Sequence, residues 1–367
     1  MKDQRIENLA HTLVAYCAEV GPGDKVLLNG SITALPLVSE TYRQILRAGG
    51  HPLVQLQEDT LSEIFFQEST DEQLEFIHEP MKLMLETYDC MINIRGTNNT
   101  RSLSAIDPAR QMITQKSRTE LMETYMKRSA SGDFRWVSTL YPTNAHAQEA
   151  DMSLQDYEDF VFRACHADKE DPVAEWQTVS NKQQRLVDWL EGKSEVVING
   201  PNVELQLSIA GRSFINSDGK RNMPSGEIFT GPVEESANGW VRFTYPAIVS
   251  GREISGVELR FADGKVIEAK AQKNEDYLLN ALDTDPGARC LGEFAIGTNY
   301  AIDRFTKSIL YDEKIGGTIH MALGRGYPET GSKNISAIHW DMICDMRDAS
   351  QIWVDGTLFY ENGDFVI

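Results

Sequence analysis

The chain has 367 residues, 41% hydrophobic and 25% charged, a composition that fits a folded protein with more than one core. Thirty-five basic residues against 55 acidic ones give a formal net charge of −20. That balance argues against nucleic acid and anionic membrane surfaces as partners, because both select basic patches.

The opening stretch, MKDQRIENLAHTLVAYCAEVGPGD, lacks the apolar core of a signal peptide, and its acidic residues do not suit a transit peptide. No run approaches the roughly 18 apolar residues that span a bilayer, so a cytoplasmic protein is expected. Residues 5–19 carry Ile6, Leu9, Leu13, Val14 and Tyr16 at helical spacing. GPGDKVLLNG reads as a turn and a short apolar strand, and SITALPLVSETYRQILRAGG as a helix stopped by Gly49 and Gly50. HPLVQLQ and YDCMINIRG read as further strands on either side of an acidic helical stretch. Such alternation predicts an α/β domain with a mainly parallel sheet. LNGSITAL lacks the glycines of a dinucleotide fingerprint, and the chain contains no Walker-type phosphate loop.

From about Lys182 the texture changes. SEVVING, VELQLSIAGR, WVRFTYPAIV and EISGVELRFADGKVIEAKA alternate apolar and polar residues between turn signals. Asp263-Gly264 sits between two strand-like runs as a hairpin turn. This half is expected to be α+β and rich in antiparallel strands. The boundary is placed within DPVAEWQTVSNKQ, dividing the chain into domains 1–178 and 179–367. The five cysteines (Cys17, Cys90, Cys165, Cys290, Cys344) form no C-x-x-C pair, which speaks for buried core thiols rather than disulfides or a thiolate zinc site.

Carboxylates and imidazoles then recur in apolar settings. NMPSGEIFTGP carries Glu227 and CLGEFAIGTN carries Glu293. YDEKIGGTIHMALGRGYP carries Asp312, Glu313 and His320, and SAIHWDMICDM carries His339 and Asp341. In a strand, residues two apart share a face, so His339 and Asp341 stand side by side. Buried charges need partners. Each of these residues taken alone reads as a turn cap or an internal salt bridge. Taken jointly they point to divalent metal, since Zn²⁺, Mn²⁺ and Co²⁺ accept mixed imidazole and carboxylate ligands. A carboxylate-rich set of this kind suits two ions about 3.5–4 Å apart in a hydrolytic site. The chain contains no HExxH and no GxSxG to support a single-metal protease or a serine hydrolase.

In this order the four motifs NMPSGEIFTGP, LGEFAIGTN, DEKIGGTIHMALGRGYP and IHWDMICDM resemble the thermophilic metallo-aminopeptidase family, of the aminopeptidase T and aminopeptidase S type. The likeness extends through GPGDKVLLNGSITALPLVSETYRQILRAGG and RWVSTLYPTNAHAQEADMSLQDYEDFVFRAC. It implies an N-terminal α/β domain and a C-terminal metal-binding catalytic domain, paired as a homodimer around an enclosed cavity. By motif, Glu227, Glu293, His320, His339 and Asp341 correspond to ligands of two divalent ions (Zn, Co, Mn or Mg), with Glu293 the bridge. Glu313 corresponds to a further ligand, and Tyr327 to a tyrosine at the reacting centre. Glu293 and Tyr327 are thus the expected catalytic residues. Gly226 stands where many relatives carry a second acid, and Asp345 lies four residues past Asp341 as a candidate neighbour of the site.

The implied reaction is removal of the N-terminal residue from peptides with a free α-amine, through a metal-activated water. Tyr327 is expected to donate to the oxyanion. Two rival readings are another two-metal hydrolase, an amidase or phosphatase for which Arg325 is the obvious anion clamp, and a non-catalytic metal-binding relative.

Overall fold

The computed structural model of the chain describes residues 3–249 and 252–367. The chain divides into two compact units. One takes in the chain as far as Trp176 together with Gly219–Pro224, and the other comprises Gln177–Asp218 and Ser225–Ile367. The division falls inside the helix Pro172–Leu190.

The first unit is built on a five-stranded parallel sheet. Its spatial order is His51–Gln57, Lys25–Ser31, Cys90–Arg95, Arg135–Leu140 and Asn222–Met223. The strand Lys25–Ser31 carries Val26, Leu27 and Leu28, all buried, so its apolar run is continuous rather than alternating. That pattern is what a parallel strand covered on both faces requires. The helix Leu35–Arg47 follows it and ends where the sequence places its stop. Gly49 N–H donates to Leu46 and Gly50 N–H to Ile45, which satisfies two otherwise orphaned carbonyls. The first helix differs from a regular one. Gln4–His11 is α-helical, and Thr12–Cys17 widens into a π turn that buries Leu13, Val14 and Tyr16.

The second unit holds two larger sheets and one two-stranded ribbon. The eight-stranded sheet runs Lys265–Lys270, Glu258–Ala262, Asn238–Arg242, Val203–Ser208, Glu195–Gly200, Gln351–Val354, Thr357–Glu361 and Asp364–Phe365. Every pairing in it is antiparallel. Asp263 and Gly264 close its first hairpin with φ of +47° and +79°, as a two-residue turn of this type needs. The five-stranded sheet has the order His339–Asp345, Thr318–Gly324, Leu291–Gly297, Glu227–Thr230 and Ile215–Ser217, again antiparallel throughout. Side chains of both sheets share one core, in which Ile198, Leu205 and Leu259 meet Phe294, Met321 and Trp340. The fold expected from the sequence, a parallel α/β part and an antiparallel-rich part, is the one observed. Among the described residues no helix is long and apolar enough to cross a membrane.

Candidate metal centre

Four neighbouring strands of the five-stranded sheet carry the chemistry. Glu293 lies opposite Ala322, which lies opposite Asp341, so the two acids sit in one cross-strand row. His320 faces Ala295, His339 faces Gly324, and Glu227 faces Gly297. Residues directly opposite in an antiparallel pair project to the same face. One face therefore collects the acids and imidazoles, and the alanines and glycines between them leave the space above it open. The other face carries Ile228, Phe294, Ile296, Met321, Leu323, Trp340 and Met342 into the core.

Glu293 reaches this face through an irregularity. By simple alternation it would share a face with Leu291, which is a core residue. The pairing shifts by one residue between Leu291 and Glu293, and this bulge at Gly292 turns Glu293 away from the core. Re-aiming a side chain is a common use of a bulge beside an active site.

The groups are close together. Glu293 Oε1 lies 3.2 Å from His320 Nε2, and Glu293 Oε2 lies 3.4 Å from His339 Nε2. His339 Nε2 is also 3.4 Å from Asp341 Oδ1. Each imidazole has its other nitrogen taken by a backbone carbonyl. His320 Nδ1 donates to Glu313 O at 2.9 Å and His339 Nδ1 to Arg325 O at 2.7 Å. That arrangement fixes both rings with Nε2 toward the carboxylates, as carbonyl-oriented metal histidines require.

Three sets each offer ligand atoms within 4.8 Å of one another: Glu227 with Glu293 and His320, Glu293 with His339 and Asp341, and Glu313 with His320 and Asp341. Glu227 Oε2 and Asp341 Oδ1 are buried without a hydrogen-bond partner. A buried carboxylate oxygen with no donor is costly unless a cation completes it. The residues fit divalent metal.

Electrostatics say the same. Burial pushes the Glu227 carboxyl up to about 7, against the pull of the Lys314 ammonium. Glu293 and Asp341 stay below the usual carboxylate range. Burial opposes this, but the neighbouring His320 and His339 imidazoles prevail at Glu293, and the His339 imidazole at Asp341. The imidazoles show the converse. Burial is outweighed by the hydrogen bond to Glu293 at His320, which rises to about 10, and by the adjacent Asp341 and Glu293 carboxylates at His339, which rises to about 11. Without metal, protons hold the carboxylates together.

Tyr327 stands at the rim. Its ring meets His339 edge-on at 5.1 Å and Phe229 at 5.4 Å between centroids. Burial, and then the carboxylates of Glu293 and Asp341, push its hydroxyl well above the usual range.

Other residues singled out in the sequence fall differently. Glu313 is half-buried and its carboxylate pairs with Lys314. Asp312 accepts from the backbone and hydroxyl of Thr306 at 2.7 and 2.8 Å and so braces a loop. Asp345 shares the strand face of Asp341, but its carboxylate is taken by Arg347 and Tyr245. Arg325, the candidate anion clamp, donates Nε to the Ser336 carbonyl. All five cysteines are free and buried. Gly226 has φ of +116°, and a Cβ there would lie 2.7 Å from that of Asn299, so a larger residue is strained at this position.

The residue that sequence reasoning passed over is Lys314. It is fully buried, it pairs with Glu313, and its Nζ lies 3.6 Å from Glu227 Oε1. Burial works against its charge, and the Glu227 and Glu313 carboxylates more than restore it. The available signal was the run Asp312-Glu313-Lys314 leading into Ile315-Gly316-Gly317, a lysine entering an apolar turn directly behind two acids.

Comparison with known proteins adds an independent line. A family model described as thermophilic metalloprotease (M29) matches residues 2–365. Aminopeptidase 2 of Geobacillus stearothermophilus is 27% identical over 394 aligned residues, covering 96% of this chain and 94% of that protein. The solved structure of wild-type AmpT from Thermus thermophilus superimposes with a TM-score of 0.86 at 20% identity, covering 99% of each chain. The 2,5-dihydroxypyridine dioxygenase of Pseudomonas putida KT2440 matches with a TM-score of 0.55 at 13% identity, over 98% of this chain and 96% of that one. The architecture alone therefore does not decide the reaction.

Proposed function

Since the chain belongs to the thermophilic metalloprotease family M29, we propose that it is an aminopeptidase that removes the N-terminal residue of peptides at a centre of two divalent ions. The observation that carries this reading is the sharing of Glu293 between two ligand sets on one sheet face. Glu227, Glu293 and His320 would hold one ion, and Glu293, His339 and Asp341 the other. Zn, Co, Mn and Mg are the ions this donor set admits. When bound, the ions supply Lewis acidity, which eases deprotonation of water near neutral pH and polarises the scissile carbonyl.

The chain's own residues do the rest. The carbonyl contacts on His320 Nδ1 and His339 Nδ1 hold the rings so that neither turns away from the centre. Tyr327 keeps its proton at neutral pH because its environment disfavours the phenolate, so its hydroxyl is a donor. Directed at the substrate carbonyl oxygen, it stabilises the charge that develops there. Lys314 neutralises Glu313, keeping that carboxylate in place beside the centre without adding a further net charge. The acidic surround suits the cationic α-amine of a peptide and sets the enzyme to count from the N-terminus. Phosphate esters would instead call for a basic clamp, whereas the groups gathered at the centre are acids and imidazoles.

The proposal extends to a cytoplasmic homodimer. Five free buried thiols suit a reducing compartment, and the dimer follows the family resemblance. One experiment tests the activity. Protein stripped with chelator and reloaded with metal is offered leucine p-nitroanilide, its N-acetyl derivative and a phosphate ester. Metal-restored cleavage of the first alone is expected. Equal cleavage of the acetylated compound, or preference for the ester, refutes the reading.

A further inference from the structure

The strand His339–Asp345 lies at the end of its sheet, paired on one side only. The pairing of its backbone follows from two hydrogen bonds. Arg325 N–H donates to Ile338 O at 2.7 Å, and Met346 N–H donates to Gly317 O at 3.0 Å. Both belong to the same antiparallel register, so every second residue between them bonds inward: Trp340, Met342 and Cys344. His339, Asp341, Ile343 and Asp345 therefore turn their N–H and C=O groups to the open edge.

Half of that edge is covered. Thr244 N–H donates to Ile343 O at 3.0 Å, and Asp345 N–H donates to Thr244 Oγ1 at 2.8 Å. Among the described residues nothing pairs with the outward backbone groups of His339 and Asp341. These are also the residues whose side chains face the candidate metal centre. A cavity of about 330 Å³ runs along the uncovered part, lined by His339 through Ile343 in unbroken succession. Ala247, Val249, Phe305 and Ile309 make most of its remaining wall apolar, and the charged Lys307 and Asp312 also line it.

We propose that this slot is the substrate's main-chain cradle. The peptide lies extended along the open strand edge, its backbone downstream of the scissile bond pairs with Asp341, and an apolar side chain fills the cavity. Strand addition supplies affinity through main-chain hydrogen bonds while a pocket reads alternate side chains. An unpaired strand edge is a ready template for such pairing. Here the edge and the ligands belong to the same two residues, so pairing with the edge brings a peptide bond beside the centre. The occupant is thus an extended peptide of at least three residues with apolar character next to the cleaved bond. This rests on the aminopeptidase reading.

The test uses the metal-loaded full chain and two forms of one peptide. Trileucine and its analogue N-methylated at the third residue's amide share the same scissile bond, but the second lacks one downstream donor. Leucine release is measured for both. Binding of each with a reduced, uncleavable first bond is measured by calorimetry, alongside hydrogen exchange of the segment 339–343. The N-methyl form is expected to bind about tenfold more weakly, the worth of about one hydrogen bond. The unmodified ligand is expected to slow exchange at Asp341. If both forms bind alike and exchange in 339–343 is unchanged, the cradle is refuted while leucine release still upholds the aminopeptidase. If trileucine neither binds nor releases leucine, both readings fall.

Discussion

Glu293→Gln is the sharpest perturbation of the centre, because it keeps shape and removes one charge. The carboxylate stands between two imidazoles, at 3.2 and 3.4 Å, and belongs to two ligand sets at once. In the metal-free protein an amide keeps one acceptor oxygen and forfeits the other charge-assisted contact, a loss of about 1.5–3 kcal/mol. Relief of the carboxylate's own desolvation offsets part of this, so the fold is expected to survive with a modest drop in melting temperature. Metal binding suffers more. An amide cannot balance two divalent cations, so bound metal is expected to fall from two equivalents to one or fewer. Loss of a single charge-stabilising group costs on the order of 10²–10³ in rate, and the loss of a bridge is expected to reach at least the upper end. The assay is elemental analysis together with leucine p-nitroanilide hydrolysis on one preparation, with circular dichroism as the check on folding. A variant with two equivalents of metal and unchanged kcat would show that Glu293 is not the bridge.

Tyr327→Phe deletes a hydroxyl and leaves the ring packed on His339 and Phe229, so stability and metal content should hold while kcat falls on the order of 10²–10³. A kcat within a few fold of the parent would leave the tyrosine a packing residue. Lys314→Met removes one partner of a buried ion pair, at a cost of about 3–5 kcal/mol to the metal-free protein. Metal should then raise the melting temperature further in this variant than in the parent, and equal metal-induced shifts would contradict the role given to Lys314. The imidazoles of His320 and His339 rise from an ordinary value near 6.5 to about 10 and about 11. Raised values mean that their contribution to the metal-free protein is complete below pH ~6.5 and is lost as pH climbs through ~10–11. With the Glu227 carboxyl near 7 as well, metal must displace between two and three protons at about pH 7, and its apparent affinity should rise with pH. Calorimetry in two buffers of different ionisation enthalpy counts those protons, and a count of zero would refute the scheme.

Much of this protein is legible along the chain, because several of its determinants are local. Asp263-Gly264 between two alternating runs specifies a hairpin by backbone conformation alone. The stop at Gly49 and Gly50 follows from helix-end chemistry. His339 and Asp341 share a face by the two-residue period of any strand, and the ordered motifs around Glu227, Glu293 and His320 mark the other members of the cluster. What the chain could not disclose depends on register and on distant partners. The bulge at Gly292 reverses the face on which Glu293 falls, against the period that its neighbours obey. Asp345 obeys that period and yet leaves the site, because Arg347 and Tyr245 claim its carboxylate. Lys314 joins the centre only because the turn after Glu313 buries it against Glu227, a strand more than 80 residues earlier in the chain. The open edge at His339 and Asp341 arises because their strand is the last of its sheet and Thr244 covers only its second half. Periodicity and caps act over a few residues and can be read in order, whereas cross-strand neighbours and buried ion pairs exist only once distant segments have met.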